Sequence, residues 1–317
     1  MVRKPKPWRS RTLTAWLLCW SVACCGQTPT FRSDVNLVTV TFTVRDGAGK
    51  LVGNLSQDDV EVLEDGVPQK IRFFARSSDL PLTIGLVVDA SDSQSKFMRR
   101  HRNDVETFLK DVLGPRDQAF LVCFGNHLRL VSDLTSSPSQ IMQNLDSFNH
   151  DKGSFPEIGP REIREEGTAF YDAIFYSVQE RLSNATQGHR ALILFSDGQD
   201  NSSAHHMIDA IEAAQRADVL VYSVRYTEER KHLNARDKYG IRVMQRVSHD
   251  TGAADFDASH GDLDETFRNI GAELRALYEV GYHATNMVHD ESFHKVAVRI
   301  KEPGLTARAK AGYFAGQ

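Results

Sequence analysis

The run Leu82-Thr83-Ile84-Gly85-Leu86-Val87-Val88 closes on Asp89, and Ser91 and Ser93 follow at alternate positions. A short apolar stretch that ends in a polar loop reads as a strand buried on both faces, the habit of parallel sheets. Parallel strands need crossover connections, usually helices, so this stretch points the chain to an α/β architecture. The loop after the strand offers one carboxylate and two hydroxyls. All three are hard oxygen donors, suited to a small hard cation such as Mg²⁺, with Mn²⁺ the alternative. Cysteine and histidine are missing from the stretch, which argues against zinc there.

One loop cannot surround an octahedral ion, so further oxygens must come from elsewhere. Two stretches qualify. Glu166-Gly167-Thr168-Ala169-Phe170-Tyr171-Asp172-Ala173 opens a helix with a hydroxyl, and Leu192-Ile193-Leu194-Phe195-Ser196-Asp197-Gly198 is a second apolar strand ending in an aspartate. In an open α/β sheet, ligands bind beyond the carboxyl ends of the strands at a topological switch point, where Asp89 and Asp197 can meet. Helix capping, with Ser93 as an N-cap, would explain one residue per helix and not a set of five oxygens.

These residues resemble the metal-ion-dependent adhesion site of the von Willebrand factor type A family, D-x-S-x-S followed by a threonine and then an aspartate. Asp89, Ser91 and Ser93 match the first loop, Thr168 the second and Asp197 the third. The resemblance implies a Rossmann-like, doubly wound, mostly parallel sheet over residues 80–275. It further implies that the serines and the threonine reach the ion directly or through water, while the aspartates act through bridging waters. A carboxylate from a protein partner then completes the shell, with Asp92, Gly167 and Gly198 as the partner-binding rim. The function implied is a non-catalytic adhesion module that captures an Asp or Glu of its partner.

Upstream, Arg3, Lys4, Lys6, Arg9 and Arg11 precede an apolar stretch, Leu13 to Ala23, that is short for a bilayer span. Residues 1–25 therefore read as a secretory signal, and the mature chain is expected to be exported to the periplasm, the cell surface or the medium, with no membrane span. Ser21-Val22-Ala23-Cys24 approaches a bacterial lipobox but lacks the leucine-like residue at position 21, so lipidation at Cys24 is the alternative. Of Cys19, Cys24, Cys25 and Cys123, only the last lies beyond the leader, in an apolar strand where it reads as a small buried hydrophobe. There is no disulfide framework. A formal net charge of −4 over 317 residues provides no basic field for nucleic acid.

Residues 34–78 alternate Val38, Val40, Phe42 and Val44 with threonines, and carry turn signals at Asp46-Gly47 and Asp65-Gly66, the second between 60–62 and 70–73. After the α/β region, residues 276–317 return to strands at Tyr278 to Thr285, around Val296 to Ile300, and from Thr306 to Phe314. The two β segments are expected to form one small β-sandwich-like module with the α/β domain inserted between them. This layout, with Glu64-Asp65-Gly66 and Gly312-Tyr313-Phe314, also resembles exported von Willebrand A-related proteins of acidobacteria.

Other chemistry is thin. The stretch 149–167, rich in Gly, Pro and charge, is expected to be a mobile rim beside the site. His205-His206 reads as a solvated helix start, behind a cap at Ser202 or Ser203. A metal-dependent hydrolase would need a base near the ion, for which Asp92, Asp172 and Asp200 are the candidates, each without a histidine partner. The remaining alternative is a structural subunit of an envelope assembly.

Overall fold

The structure, a computed structural model, describes residues 37–160, 167–185, 188–227, 233–285 and 292–315. The expected leader with Cys24, the first residues of the N-terminal β segment and Glu166 lie outside them. The first four strands are β1 (Leu37–Arg45), β2 (Val60–Glu64), β3 (Val67–Gln69) and β4 (Ile71–Arg76). Asp65 and Gly66 at φ 50° and 83° make the tight connection from β2 to β3, since a two-residue hairpin wants positive φ at both positions. The sequence placed this turn between 60–62 and 70–73 without showing the strand at 67–69. Strand β2 pairs β3, and the chain crosses at Lys70 so that β4 pairs a strand of the opposite sheet.

The α/β region follows: β5 (Leu82–Asp89), α1 (Met98–Val112), β6 (Gln118–Phe124), β7 (Leu128–Thr135), α2 (Pro138–Asn149), α3 (Phe170–Ser177), β8 (His189–Ser196), α4 (Met207–Arg216), β9 (Val219–Arg225), α5 (Ala235–Asp250), β10 (Asp255–Asp257) and α6 (Leu263–Leu274). The strand order is β10-β9-β8-β5-β6-β7, parallel throughout except for the β6–β7 hairpin at one edge. Counted within the sheet, that is sixth, fifth, fourth, first, second, third, so the chain reverses direction of growth between β5 and β8. All eight residues of β5 are buried, as its lack of alternation required. One face packs Val105, Phe108 and Leu109 of α1, Ile141 and Leu145 of α2, and Phe267 and Ile270 of α6. The other packs Phe170 and Ile174 of α3, Ile211 of α4, and Val243 and Met244 of α5. Cys123 is buried within β6, and burial pushes its thiol well above the usual range.

Four strands close the chain: β11 (Tyr278–His283), β12 (Phe293–Ile300), β13 (Thr306–Ala309) and β14 (Gly312–Phe314). They interleave with the first four as two sheets, β13-β1-β11-β4 and β14-β12-β2-β3. Val40, Phe42, Val60, Val62, Tyr278, Val280 and Val296 fill one shared core between them. The stretch from Thr306 to Phe314, read as a single strand, is two, because the chain changes sheets at Lys310-Ala311. The fold is thus a doubly wound α/β sheet followed and preceded by strands of an antiparallel sandwich.

Candidate metal centre

The site forms where the sheet reverses. β5 and β8 lie side by side, so Asp89 at the end of one and Asp197 just beyond the other come to the same crevice. Asp89 is fully buried. Its Oδ1 accepts from the Ser91 amide at 3.0 Å and from Ser91 Oγ at 2.5 Å, and its Oδ2 accepts from Ser196 Oγ at 2.6 Å. Ser93 Oγ lies 3.1 Å from Ser91 Oγ and donates to Asp197 Oδ2 over 3.3 Å. Gln94 Nε2 reaches the same Asp197 oxygen at 2.9 Å, and the Gln199 amide donates to Oδ1 at 3.1 Å.

The donor pattern decides what faces the crevice. Ser91 and Ser93 each give a proton to an aspartate behind them, which leaves hydroxyl lone pairs pointing forward. Adjacent vertices of an octahedral Mg²⁺ shell with ligand distances of about 2.1 Å lie about 3.0 Å apart. The two hydroxyl oxygens, 3.1 Å apart, match that edge. Burial pushes the Asp89 carboxyl up to about 7, against the bonds from Ser196 and Ser91 that pull it down, with the nearby Asp197 adding to the rise. Asp197 is also raised, again chiefly by burial. Two desolvated carboxylates beneath a row of hydroxyls form a site that a cation would relieve.

A cavity of about 580 Å³ opens over this row, lined by Ser91, Asp92, Ser93, Gly125, Asn126, Gly167, Thr168, Gln199, Asp200, Asn201, Arg236 and Tyr239. Asp89 and Asp197 sit behind its wall. Thr168 is held there by the loop after β8: its amide donates to Asn201 Oδ1 at 2.6 Å, and its carbonyl accepts from the Asn201 and Ser202 amides at 3.1 and 3.2 Å. Ala169 N donates to Gly125 O at 2.9 Å, which ties the same turn to the end of β6. Asp200 Oδ1 accepts from the Phe170 amide at 2.8 Å and from Ser203 Oγ, an anion at the start of α3.

Not every expected residue stands where the motif suggests. Asp92 and Gly167 line the cavity, but Gly198 is buried, and a Cβ there would come within 2.5 Å of the Gly240 carbonyl of α5. Its part is the close approach of two backbones, not the rim. The expectation that Asp172 has no histidine partner is also overturned. Its Oδ1 meets His205 Nδ1 at 2.8 Å and the His205 amide at 3.0 Å, and Oδ2 takes the Ala204 amide at 3.0 Å. The His205 ring stacks on Phe175 at 3.8 Å and is only a quarter exposed, while His206 at the helix start stays exposed. Neither Ser202 nor Ser203 caps α4; His206 holds that place, and Ser203 Oγ accepts from the Asp172 amide. Of the expected rim 149–167, Pro156 and Ile158 exchange backbone bonds with Leu130 and Leu128, covering the free edge of β7.

Sequence reasoning missed Ser196, Gln94, Asn201, Arg236 and Tyr239. Ser196 left a faint signal, a hydroxyl ending an otherwise apolar strand. Arg236 and Tyr239 left none, since their place depends on how α5 crosses the sheet.

No family model matches the chain, and no curated protein does. Among solved structures it is similar to the conserved hypothetical protein BatB from Bacteroides thetaiotaomicron, at 16% identity over 61% of this chain and 97% of that one, TM-score 0.45. A von Willebrand factor type A protein from Catenulispora acidiphila is 11% identical over 89% of this chain and 75% of that one, TM-score 0.48. Proximal thread matrix protein 1 from the mussel byssus, with a zinc-occupied MIDAS motif, is 15% identical over 68% of this chain and 50% of that one, TM-score 0.45. The strand order, the antiparallel edge and the helices on both faces make the fold a Rossmann-like, doubly wound sheet, consistent with the von Willebrand factor A fold. Among the described residues, no helix is long and apolar enough to cross a membrane.

Proposed function

We propose that this chain is an exported, non-catalytic binding module that holds a divalent cation, Mg²⁺ or Mn²⁺, and through it captures an acidic side chain of a protein partner. The observation that carries the reading is the pair of hydroxyls, Ser91 and Ser93, whose protons go to buried aspartates while their oxygens face an open cavity. Residues 80–275 act as the binding domain, with 34–78 and 276–317 as its support. Asp89, Ser91, Ser93, Thr168 and Asp197 hold the ion, directly or through water. When bound, the ion supplies a Lewis-acidic position that a partner carboxylate fills. Arg236 and Tyr239 on α5 line the same cavity as the serines and meet whatever flanks that carboxylate.

The hydrolase alternative is weakened by what its base candidates do. Asp172 holds the loop around His205, and Asp200 caps α3. Asp92 alone keeps an exposed carboxylate at the cavity.

Calorimetric titration of Mg²⁺ and Mn²⁺ into chelator-treated protein tests the reading, with Ser91→Ala/Ser93→Ala as control. One-site binding by the wild type and none by the control is expected. A panel of acidic peptides then follows, where retention must require the cation and vanish when Asp is replaced by Asn. Metal binding without such dependence would leave a structural ion and sink the capture mechanism.

A further inference from the structure

The turn Glu64-Asp65-Gly66 is part of neither the parallel sheet nor its site, yet it gathers two carboxylates and an imidazole. Glu64 ends β2 and is 3% exposed; Asp65 follows in the turn. Opposite them, β12 brings His294, also buried, because Val296 pairs with Glu64 across the ladder. His294 Nδ1 lies 2.9 Å from Asp65 Oδ2 and 3.7 Å from Glu64 Oε1. Three ligand atoms, one from each residue, fall within 4.8 Å of one another. Among the described residues, no Lys or Arg forms an ion pair with either carboxylate.

The imidazole's other nitrogen, Nε2, is 3.2 Å from Ser292 Oγ, a contact that fixes the orientation of the ring. Nδ1 is thereby aimed at two carboxylate oxygens, Asp65 Oδ2 at hydrogen-bond distance and Glu64 Oε1 farther off. A second, independent sign comes from Tyr282 on β11. Its fully buried hydroxyl is set against Glu64 and completes no hydrogen bond. Tyr313 meanwhile donates to Glu64 Oε2 at 3.0 Å, and its ring stacks on His294. The Lys295 amide donates to Asp65 Oδ1 at 2.9 Å. The ligands are thus oriented by bonds from behind, as metal ligands are.

We propose that Glu64, Asp65 and His294 form a second metal site, which takes Zn²⁺ or a similar borderline cation through one imidazole nitrogen and two carboxylates. Ligand atoms around tetrahedral Zn²⁺ lie about 3.3 Å apart, and the two separations at Nδ1 bracket that value. Nitrogen in the donor set separates this site from the all-oxygen loops after β5 and β8, which suit harder ions. Half-exposed Asp65 leaves one side open to solvent. Because its ligands come from both ends of the chain, the ion acts as a clasp between the N-terminal and C-terminal strands of the sandwich.

The test uses the full chain carrying Ser91→Ala/Ser93→Ala, so that the loops after β5 and β8 contribute nothing and the result stands apart from the proposed adhesion function. Zn²⁺ is titrated into the chelator-treated protein, followed by thermal melts with and without the ion. One-site binding and a raised Tm are expected. His294→Gln weakens the binding by more than about 100-fold, beyond what loss of a supporting hydrogen bond costs. Asp65→Asn, at an exposed position that leaves packing alone, weakens it in the same direction and serves if His294→Gln fails to fold. Absence of Zn²⁺ binding, or binding unaltered in folded Asp65→Asn, overturns the proposal.

Discussion

At Asp89 a carboxylate has been taken out of water and given hydroxyl and amide donors in place of hydration. The unfolded chain ionises this group near the ordinary 3.8, and the folded, metal-free chain near about 7. The folded state therefore holds the proton more tightly. Its advantage is complete below the ordinary value and is lost as pH rises through about 7, by up to about 4 kcal/mol. Urea melts of metal-free protein from pH 4 to 8 should show this loss, and Asp89→Asn should flatten that part of the profile. Excess Mg²⁺ at pH 8 should restore stability to the wild type and not to Asp89→Asn; an equal gain in both would separate the ion from Asp89. Ser196 acts on the same carboxylate from behind. Ser196→Ala strips the donor from a buried oxygen, a change expected to cost about 1–3 kcal/mol in denaturant melts.

At the scale of elements, the site is an agreement between three loops, and the loop after β8 sets the other two. Asn201 holds the Thr168 turn through its side chain and its amide, although it lies on the surface. Asn201→Ala should leave the fold intact and weaken Mg²⁺ binding by about 10-fold, the effect of loosening a ligand's support. Titration of the variant checks this; unchanged affinity would mean that Thr168 does not reach the ion. Gly198 works differently, because φ is +76° there and α5 crosses closely at Gly240. Gly198→Ala combines left-handed backbone with a backbone clash, so a loss of about 2–4 kcal/mol is expected in thermal or urea melts.

Across the whole molecule, the α/β layer and the sandwich meet at a buried acid. Glu273 at the end of α6 is 2% exposed and binds Arg45 of β1 at 2.8 Å, Tyr222 of β9 at 2.7 Å and Arg308 of β13. Lys310, between β13 and β14, adds a bond to Asp218 at 2.5 Å. Removing a buried partner from an ion pair costs about 3–5 kcal/mol, and the arginines, a third exposed, recover part of that through water. Glu273→Ala should therefore lose about 2–3 kcal/mol. Tryptophan occurs only at positions 8, 16 and 20, so circular dichroism is the readout; two separated transitions would show that this seam couples the layers.

How much of this was legible beforehand follows from the range of each interaction. β5 and β8 were readable because burial on both faces leaves an unbroken apolar run, and the motif order Asp89, Ser91, Ser93, Thr168, Asp197 is a local pattern repeated at strand ends. Two β segments flanking an α/β region were readable from period-2 alternation. The sequence could not show that Gly198 faces α5 rather than the cavity, or that Asp172 meets His205. Nor could it show that His294 joins Glu64 and Asp65, or that the chain changes sheets at Lys70 and again at Lys310. Each of these depends on strand register and helix crossing, which are set by long-range packing of whole faces. By itself the sequence determined which residues carry oxygen donors and which strands are buried; tertiary structure decided which of those donors stand together, because residues far apart in the chain meet only after the sheets have closed.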